Sequence, residues 1–544
     1  VQTGHSCTLG SDVTFAGAFV LNGTASLNMN GYALTVGSLA ASGSSTITNT
    51  GIEKTLQIGS LNTNTTYTGV ISGAIAISKV GSGTVTLSGN NSFTGNVTFP
   101  TGTANSGALR LAHNNALGTS AKNVILQGSN GATQRIELTG GISISNAITL
   151  QTAGKTTNPI FLSNISGANT WNGAIQITNT GGSYSIESQS GTLILTGNVT
   201  NTINVNRTFI FTGSGNITVS GVISESTAYT VSLKKEGTGT LILSSNNTFT
   251  GQTDIDGGII QANHNNAFGT GAVNINTGAN QLVLNTGITL SNAITINTGV
   301  SPGIGNGAIQ ALNGGTLQGT LTINALTTNG GHLVAGTGAN RLLVSGSVTS
   351  SVYISIRSGD VRFNGGGSYN SILFGNGTLS IGANNGINTS VALTVQKSWG
   401  NATFDLNGFN QTITGITEEV SANTFTITNN GATASVFTMN NTTDCAMTGV
   451  IQNGTQSVSI VKSGSGMFTL SGANTYTGST TVSGGTLRAG NDAALGTAAS
   501  GTTINTGATF DINGYSLGTE AFVLSGGSIV NNGATNIYAI QKLT

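Results

Sequence analysis

Charge is what this chain of 544 residues has least of: 16 basic and 16 acidic side chains make up 6% of it, against about 25% in ordinary soluble domains. A phosphate-binding face needs clustered Lys and Arg, and the sequence contains no such cluster, so nucleic acid is excluded as a partner. The same scarcity removes the basic amphipathic helix that rests on a membrane surface. No apolar run approaches the ~18 residues that span a bilayer, and membrane insertion by this chain is not expected. Proline occurs at Pro100, Pro159 and Pro302 alone, which leaves little to interrupt a hydrogen-bonded ladder. Two cysteines, Cys7 and Cys445, are too few for a small disulfide framework. No extended segment carries helical periodicity.

Glycine, by contrast, reaches 82 residues, and Thr, Ser and Asn must fill the solvent-facing positions that charge leaves vacant. Between the glycines the chain alternates apolar and polar residues, as in Thr84-Val-Thr-Leu87, Val352-Tyr-Ile-Ser-Ile356 and Thr424-Phe-Thr-Ile427, the pattern of a strand with one buried face. The stretch Lys462–Thr497 reads as three short strands, Met467–Leu470, Thr480–Val482 and Thr486–Arg488, closed by Gly, Ser and Asn turns. Gly464 and Gly466 offer the positive φ that the preceding bend requires. The pattern recurs at Lys79–Thr119, with Gly81 and Gly83, and at Lys235–Thr270, with Gly237 and Gly239; residues 79–102 align with 235–258 without a gap. Tyr67-Thr-Gly-Val-Ile-Ser72, Val219-Ser-Gly-Val-Ile-Ser224 and Met447-Thr-Gly-Val-Ile-Gln452 precede the three copies. Asn28-Met-Asn-Gly-Tyr32, Asp405-Leu-Asn-Gly-Phe409 and Asp511-Ile-Asn-Gly-Tyr515 mark further turns, and Gly141–Leu150 matches Gly287–Ile296. One such unit cannot bury its own apolar face, so the copies must stack into a solenoid.

The recurring GxGTLxLSGxNTYTGxTTVxGGTL…ALG pattern resembles the autotransporter-associated β-strand repeat of bacterial surface proteins. The resemblance implies an all-β fold, a right-handed parallel β-helix, exported and displayed on the outside of a bacterial cell as a stalk, adhesin or fibre. It implies no catalytic residues and no cofactor. The chain departs from the usual arrangement in stopping at Gln541-Lys-Leu-Thr544 without a membrane barrel. Its first residue, Val1, suggests a processed chain whose signal peptide has been cleaved.

We expect residues 1–544 to form one continuous solenoid, a single elongated rod, with repeat units at about 1–118, 119–269 and 270–496 and a partial unit at 497–544. Roughly 20–25 residues per turn and ~4.8 Å per turn give a rod on the order of 100–130 Å. The stretch from about 297 to 400 has lost the signature but keeps Gly-rich turns and alternation, and reads as degenerate turns of the same solenoid.

Candidate chemistry is thin. Asp254 and Asp256 stand two apart, which on a strand places both on one face roughly 7 Å apart, within the range of inverting glycosidases; yet the equivalent positions are Thr98 and Pro100, and Thr481 and Ser483, the drift of an ordinary outer face. Adjacent Glu418 and Glu419 would point to opposite faces. His113 and His264 are equivalent, but Asn491 replaces them in the third copy, which marks a turn residue; His5 and His332 lie in unrelated contexts, so no metal site is expected. Trp171 and Trp399 offer a weak case for a carbohydrate groove, whereas Phe93, Phe249 and Tyr476 repeat with the scaffold.

The scarcity of candidate chemistry, with the setting that the resemblance implies, favours a non-enzymatic structural subunit of an extracellular bacterial surface fibre. The alternatives are an adhesin reading surface glycans, a polysaccharide-cleaving β-helix, and an ice-binding face, for which the Thr-x-Thr pieces lack a fixed spacing. The chain begins in β pattern near Cys7-Thr-Leu9 and ends in β pattern at Ile537–Ile540 without a polar cap. That predicts head-to-tail self-assembly as a homopolymer, with an intermolecular Cys7–Cys445 disulfide as an accompanying possibility.

Overall fold

Alternating apolar and polar residues bury one face of a strand and wet the other, and stacking such strands in parallel buries a continuous column of side chains. The computed structural model describes residues 1–102, 106–128, 133–145, 147–152, 160–178, 182–226, 228–276, 280–297, 307–324, 331–335, 341–533 and 542–543. Its strands form a parallel β-solenoid of about 21 turns with essentially no helix. A 3-10 turn at Lys397–Trp399 is the helical element recorded among the described residues. The chain divides into two compact units, Val1–Val273 and Asn274–Thr544. The expected terminal strand at Ile537–Ile540, like Pro159 and Pro302, lies outside the described residues.

In the first unit each turn visits three sheets. Thr192–Leu195 stacks on Asn216–Val219, Val199–Asn201 on Ile223–Ser224, and Arg207–Thr212 on Val231–Lys235, all in parallel. Leu193, Ile217, Leu241 and Ile260 stand opposite one another in successive turns, each at most 2% exposed. Each side chain buried in such a column contributes about 1.5–3 kcal/mol.

In the second unit Ala402–Asp405 stacks on Phe425–Thr428, and Ser435–Asn440 on Val458–Ser463. Of the strands expected in the last copy, Met467–Leu470 and Thr480–Val482 form as read, and the third, read as Thr486–Arg488, runs one residue further, Thr486–Ala489. The first and third of these are the same strand one turn apart, with Phe468 opposite Leu487. The stretch that lost the repeat signature is regular too: Gly315–Leu317 pairs with Leu342–Val344, and that strand pairs with Ile354–Phe363.

The paired glycines of the repeat serve two different needs. Gly81, Gly237 and Gly464 take φ of 71°, 69° and 75°, the left-handed region. Gly83, Gly239 and Gly466 are not in that region; a Cβ there would lie 2.3, 2.0 and 2.8 Å from the carbonyl oxygens of Thr63, Gly215 and Thr443 in the turn before. Gly466 is thus required for close approach of backbone and not, as the sequence suggested, for its φ. Gly239→Ala is expected to destabilise the first unit by more than about 2 kcal/mol, whereas Gly140→Ala, at φ 90° with nothing within 4 Å of the new Cβ, should cost only the left-handed strain of about 1–2 kcal/mol. Chemical denaturation of the two variants measures the gap, and equal losses would contradict the close-approach account.

Candidate functional site

The polar residues that recur in every copy converge on the joints between turns. Lys79, Lys235 and Lys462 occupy an inward position of their strands, at most 2% exposed. An ammonium there needs three acceptors, and the glycine turn beside it supplies carbonyls. Lys235 Nζ donates to the carbonyls of Glu236 at 2.6 Å, Gly237 at 3.0 Å and, one turn on, Gly257 at 3.3 Å. Lys462 repeats this with Ser463, Gly464 at 3.0 Å and Gly484 at 3.2 Å, and Lys79 donates to Val80 at 2.6 Å and Gly81 at 3.2 Å. Burial pushes all three lysines down to about 8. Lys235 and Lys462 thereby sew their turns to the next, and all three ammonium groups replace the water that the carbonyls of the glycine turn have lost.

A buried asparagine makes a second kind of joint. Asn474 accepts from the Ile451 backbone N–H at 2.8 Å and donates from Nδ2 to the Ala494 carbonyl at 2.7 Å. Asn247 does the same with Ile223 at 2.8 Å and Ala267 at 2.7 Å, and Asn91 with Ile71 at 2.8 Å and Ala116 at 2.6 Å. One amide therefore joins the Gly-Val-Ile motif of the turn before, its own turn, and the Asn-Ala-Leu/Phe-Gly motif of the turn after. That linkage gives a physical reason for the three motifs to recur together.

The Asx-x-Asn-Gly turns work likewise. Asn407 and Asn513 take φ of 49° and 52°, and Gly408 and Gly514 take 86° and 80°, so both central residues are left-handed. Asp405 accepts from Asn407 N at 2.9 Å within its own turn and from Asn430 N at 2.9 Å in the next. Asn407 Nδ2 reaches back to the Ile381 carbonyl at 3.0 Å. Asp511 repeats both contacts, with Asn513 N and Asn532 N, and its carboxyl, paired with Arg488 at 2.8 Å, is held below the usual range: its hydrogen bonds outweigh the desolvation that is the largest single influence.

The residues weighed from sequence fall into place around these joints. His113 Nδ1 and His264 Nδ1 each accept from a backbone N–H two residues on, Asn115 and Asn266, at 3.0 Å, and Asn491 Oδ1 does so from Ala493 N at 2.9 Å. The His-to-Asn exchange preserves a turn bond. Asp256 pairs with Lys234 at 3.1 Å, beside Glu236 at 2.8 Å, while Asp254 accepts from Gln252 at 2.8 Å. Glu418 pairs with Lys397 at 3.3 Å and accepts from Thr448 N at 2.7 Å, and Glu419 accepts from Ser398 N at 2.8 Å. Phe93, Phe249, Tyr476 and Trp171 are fully buried, and Trp399 carries the Arg357 guanidinium 4.3 Å from its ring centroid. Cys7 is exposed, Cys445 is half-buried, and both are free thiols; burial pushes the Cys445 thiol up, which makes it a slow nucleophile. Among the described residues no group of three or more His, Cys, Asp or Glu is placed to hold a metal.

Sequence reasoning missed Lys79, Lys235, Lys462, Asn91, Asn247 and Asn474 as working residues. The signal that could have found them is the near-constant spacing between each asparagine and its two partner motifs, 20 to 25 residues either way.

Residues 77–111, 233–262 and 460–489 match the family described as passenger-associated-transport-repeat, and these spans contain the three lysines and the three asparagines. The Adhesin BmaC autotransporter of Brucella suis biovar 1 (strain 1330) is 32% identical over 202 residues, 35% of this chain and 6% of that protein. The chain thus corresponds to a small part of that relative. No solved structure matches.

Proposed function

We propose that this chain, which carries the passenger-associated-transport repeat in three copies, is a length of an adhesin-like passenger displayed on the bacterial cell surface, and that its repeats act as non-enzymatic scaffold. The observation that carries this reading is the use of the recurrent polar residues: the asparagines common to the copies are spent on backbone joints between turns, and the lysines and the His/Asn position on backbone bonds at the turns themselves. A scaffold held this way needs few charges, which suits a neutral outer face of Thr, Ser and Asn. Antibody labelling of intact and permeabilised cells tests the location; signal confined to permeabilised cells would sink it. Asp254→Asn with Asp256→Asn is expected to leave surface attachment unchanged and to shift stability by less than about 1 kcal/mol, since the half-exposed Lys234 pairs are screened. A glycan-cleaving activity in the native chain that this double variant abolishes would replace the scaffold reading with an enzymatic one.

A second reading is contact between copies of the chain, and an apolar hollow in the first unit favours it. An open hollow of about 620 Å³ is lined by Leu9, Val13, Phe15, Phe19, Val20 and Leu34, with Phe15 47% and Val20 40% exposed. An apolar surface of another copy seated in this hollow would cover these side chains. Cys7 also lines the hollow, so with dissolved oxygen or a thiol oxidase taking up the two electrons and two protons, a disulfide to Cys445 of a second copy would accompany assembly. Mass photometry at rising concentration checks this; a strictly monomeric protein contradicts assembly, and filaments without a ladder on non-reducing gels contradict the disulfide alone.

A further inference from the structure

The stretch that lost the repeat signature contributes most of a surface groove of about 500 Å³ in the second unit, inside the ~300–1,000 Å³ range of small-ligand sites. Arg341 and Arg362 line it, with Asn313, Thr316, Leu343 and Phe409 among the other walls. Leu342 stands opposite Val361 and Leu343 opposite Arg362, so Arg341 and Arg362 are diagonal neighbours on adjacent strands. Strand spacing of ~4.8 Å and two residues at ~3.3 Å place their backbones about 8 Å apart, on one face. By the same register Asp360 stands opposite Arg341 and on the same face as both arginines, although it does not line the groove.

These two guanidinium groups differ from the others in their pairing. Arg110 and Arg135 close on Glu137, and Arg488 on Asp511, while Arg357 stacks on Trp399 and the buried Arg207 donates to the Asn206 carbonyl at 2.8 Å. Among the described residues Arg341 and Arg362 have no carboxylate partner; Arg362 Nε donates to Ser380 Oγ at 3.3 Å. In a chain with 16 basic residues in 544, two arginines beside a single neighbouring carboxylate, Asp360, leave this groove with an excess of positive charge. Glycines give it room: a Cβ on Gly287 would meet nothing within 4 Å. The walls combine planar donors suited to carboxylates, amide and hydroxyl side chains suited to sugar hydroxyls, and the half-buried Phe409 ring, against which a sugar face can pack.

We propose that this groove binds an anionic oligosaccharide, a run of two or three sugar units bearing carboxylates, held by Arg341 and Arg362. The proposal rests on the adhesin-like reading and names the ligand class that reading leaves open. The test is calorimetric titration of the full chain with trigalacturonic acid, with uncharged maltotriose and with sodium sulfate. Binding of trigalacturonic acid alone is expected, weakening as salt rises, and falling at least tenfold in Arg341→Gln/Arg362→Gln whose circular dichroism and melting temperature match the native chain. Arg357→Gln, outside the groove, should bind as the native chain does, which separates site loss from charge loss. Equal affinity for maltotriose, equal affinity for sulfate, no binding of trigalacturonic acid, or unchanged binding in the double variant would each overturn the proposal. None of these outcomes bears on surface display, which the labelling of intact cells reads independently.

Discussion

Alanine in place of Asn474 is expected to lower the stability of the second unit by about 2–5 kcal/mol, because it strands two buried groups, the Ile451 N–H and the Ala494 carbonyl, at roughly 1–3 kcal/mol each. Asn474→Asp should be worse than alanine, since an acceptor oxygen replaces the Nδ2 donor against a carbonyl and brings a charge into a site 2% exposed. Hydrogen exchange of the Ile451 amide, followed alongside chemical denaturation, localises the effect. Solenoid turns couple chiefly to their neighbours, so protection should collapse first around the three joined turns. A loss under about 0.5 kcal/mol with Ile451 still protected would show that the amide is not the joint described.

Stability is expected to rise as pH climbs from about 8 towards 10. Lys79, Lys122, Lys235 and Lys462 are pushed by burial down to about 8 in the folded chain, from 10.5 unfolded. Inside that window the unfolded chain binds the protons that the folded chain has released, so stability is full above 10.5 and is lost as pH falls to 8. A full shift at 1.36 kcal/mol per unit sets a ceiling near 3 kcal/mol for each lysine; the carbonyls that accept from the ammonium oppose it, and about 1–3 kcal/mol is expected. Tyrosines then turn the curve over. Burial raises Tyr67 and Tyr369 to about 12 and Tyr476 further still, so their contribution is intact below 10 and lost as pH rises beyond it. Guanidinium titrations at pH 7.5, 9 and 10 check the rise, and Lys235→Met with Lys462→Met should flatten it; a level profile in the native chain would refute the account.

The fold was legible because its causes are local. Alternation at Met467–Leu470 and glycines at the turns act within a few residues, and those strands stand where the pattern put them. The joints were not legible because their partners lie a full turn away: Asn474 is one asparagine among many until Ile451 and Ala494 are seen beside it. Lys462 read as the start of a motif, since nothing local shows that its side chain turns inward to the Gly464 and Gly484 carbonyls. The Arg341–Arg362 groove was hidden for the converse reason: it arises where the repeat pattern fades, and fading pattern reads as drift.

The asparagine joint also constrains how such a chain can change in length. Asn247 takes the Ile223 N–H of the preceding turn and the Ala267 carbonyl of the following one, so a turn inserted or excised beside it must offer backbone groups at the same two places. Copying the whole cassette, from the Gly-Val-Ile motif through Ala-Leu-Gly, delivers every partner at once. Length is therefore expected to change by whole cassettes, with the strand bearing the lysine and the asparagine kept in one register, as the gapless agreement of residues 79–102 with 235–258 keeps it.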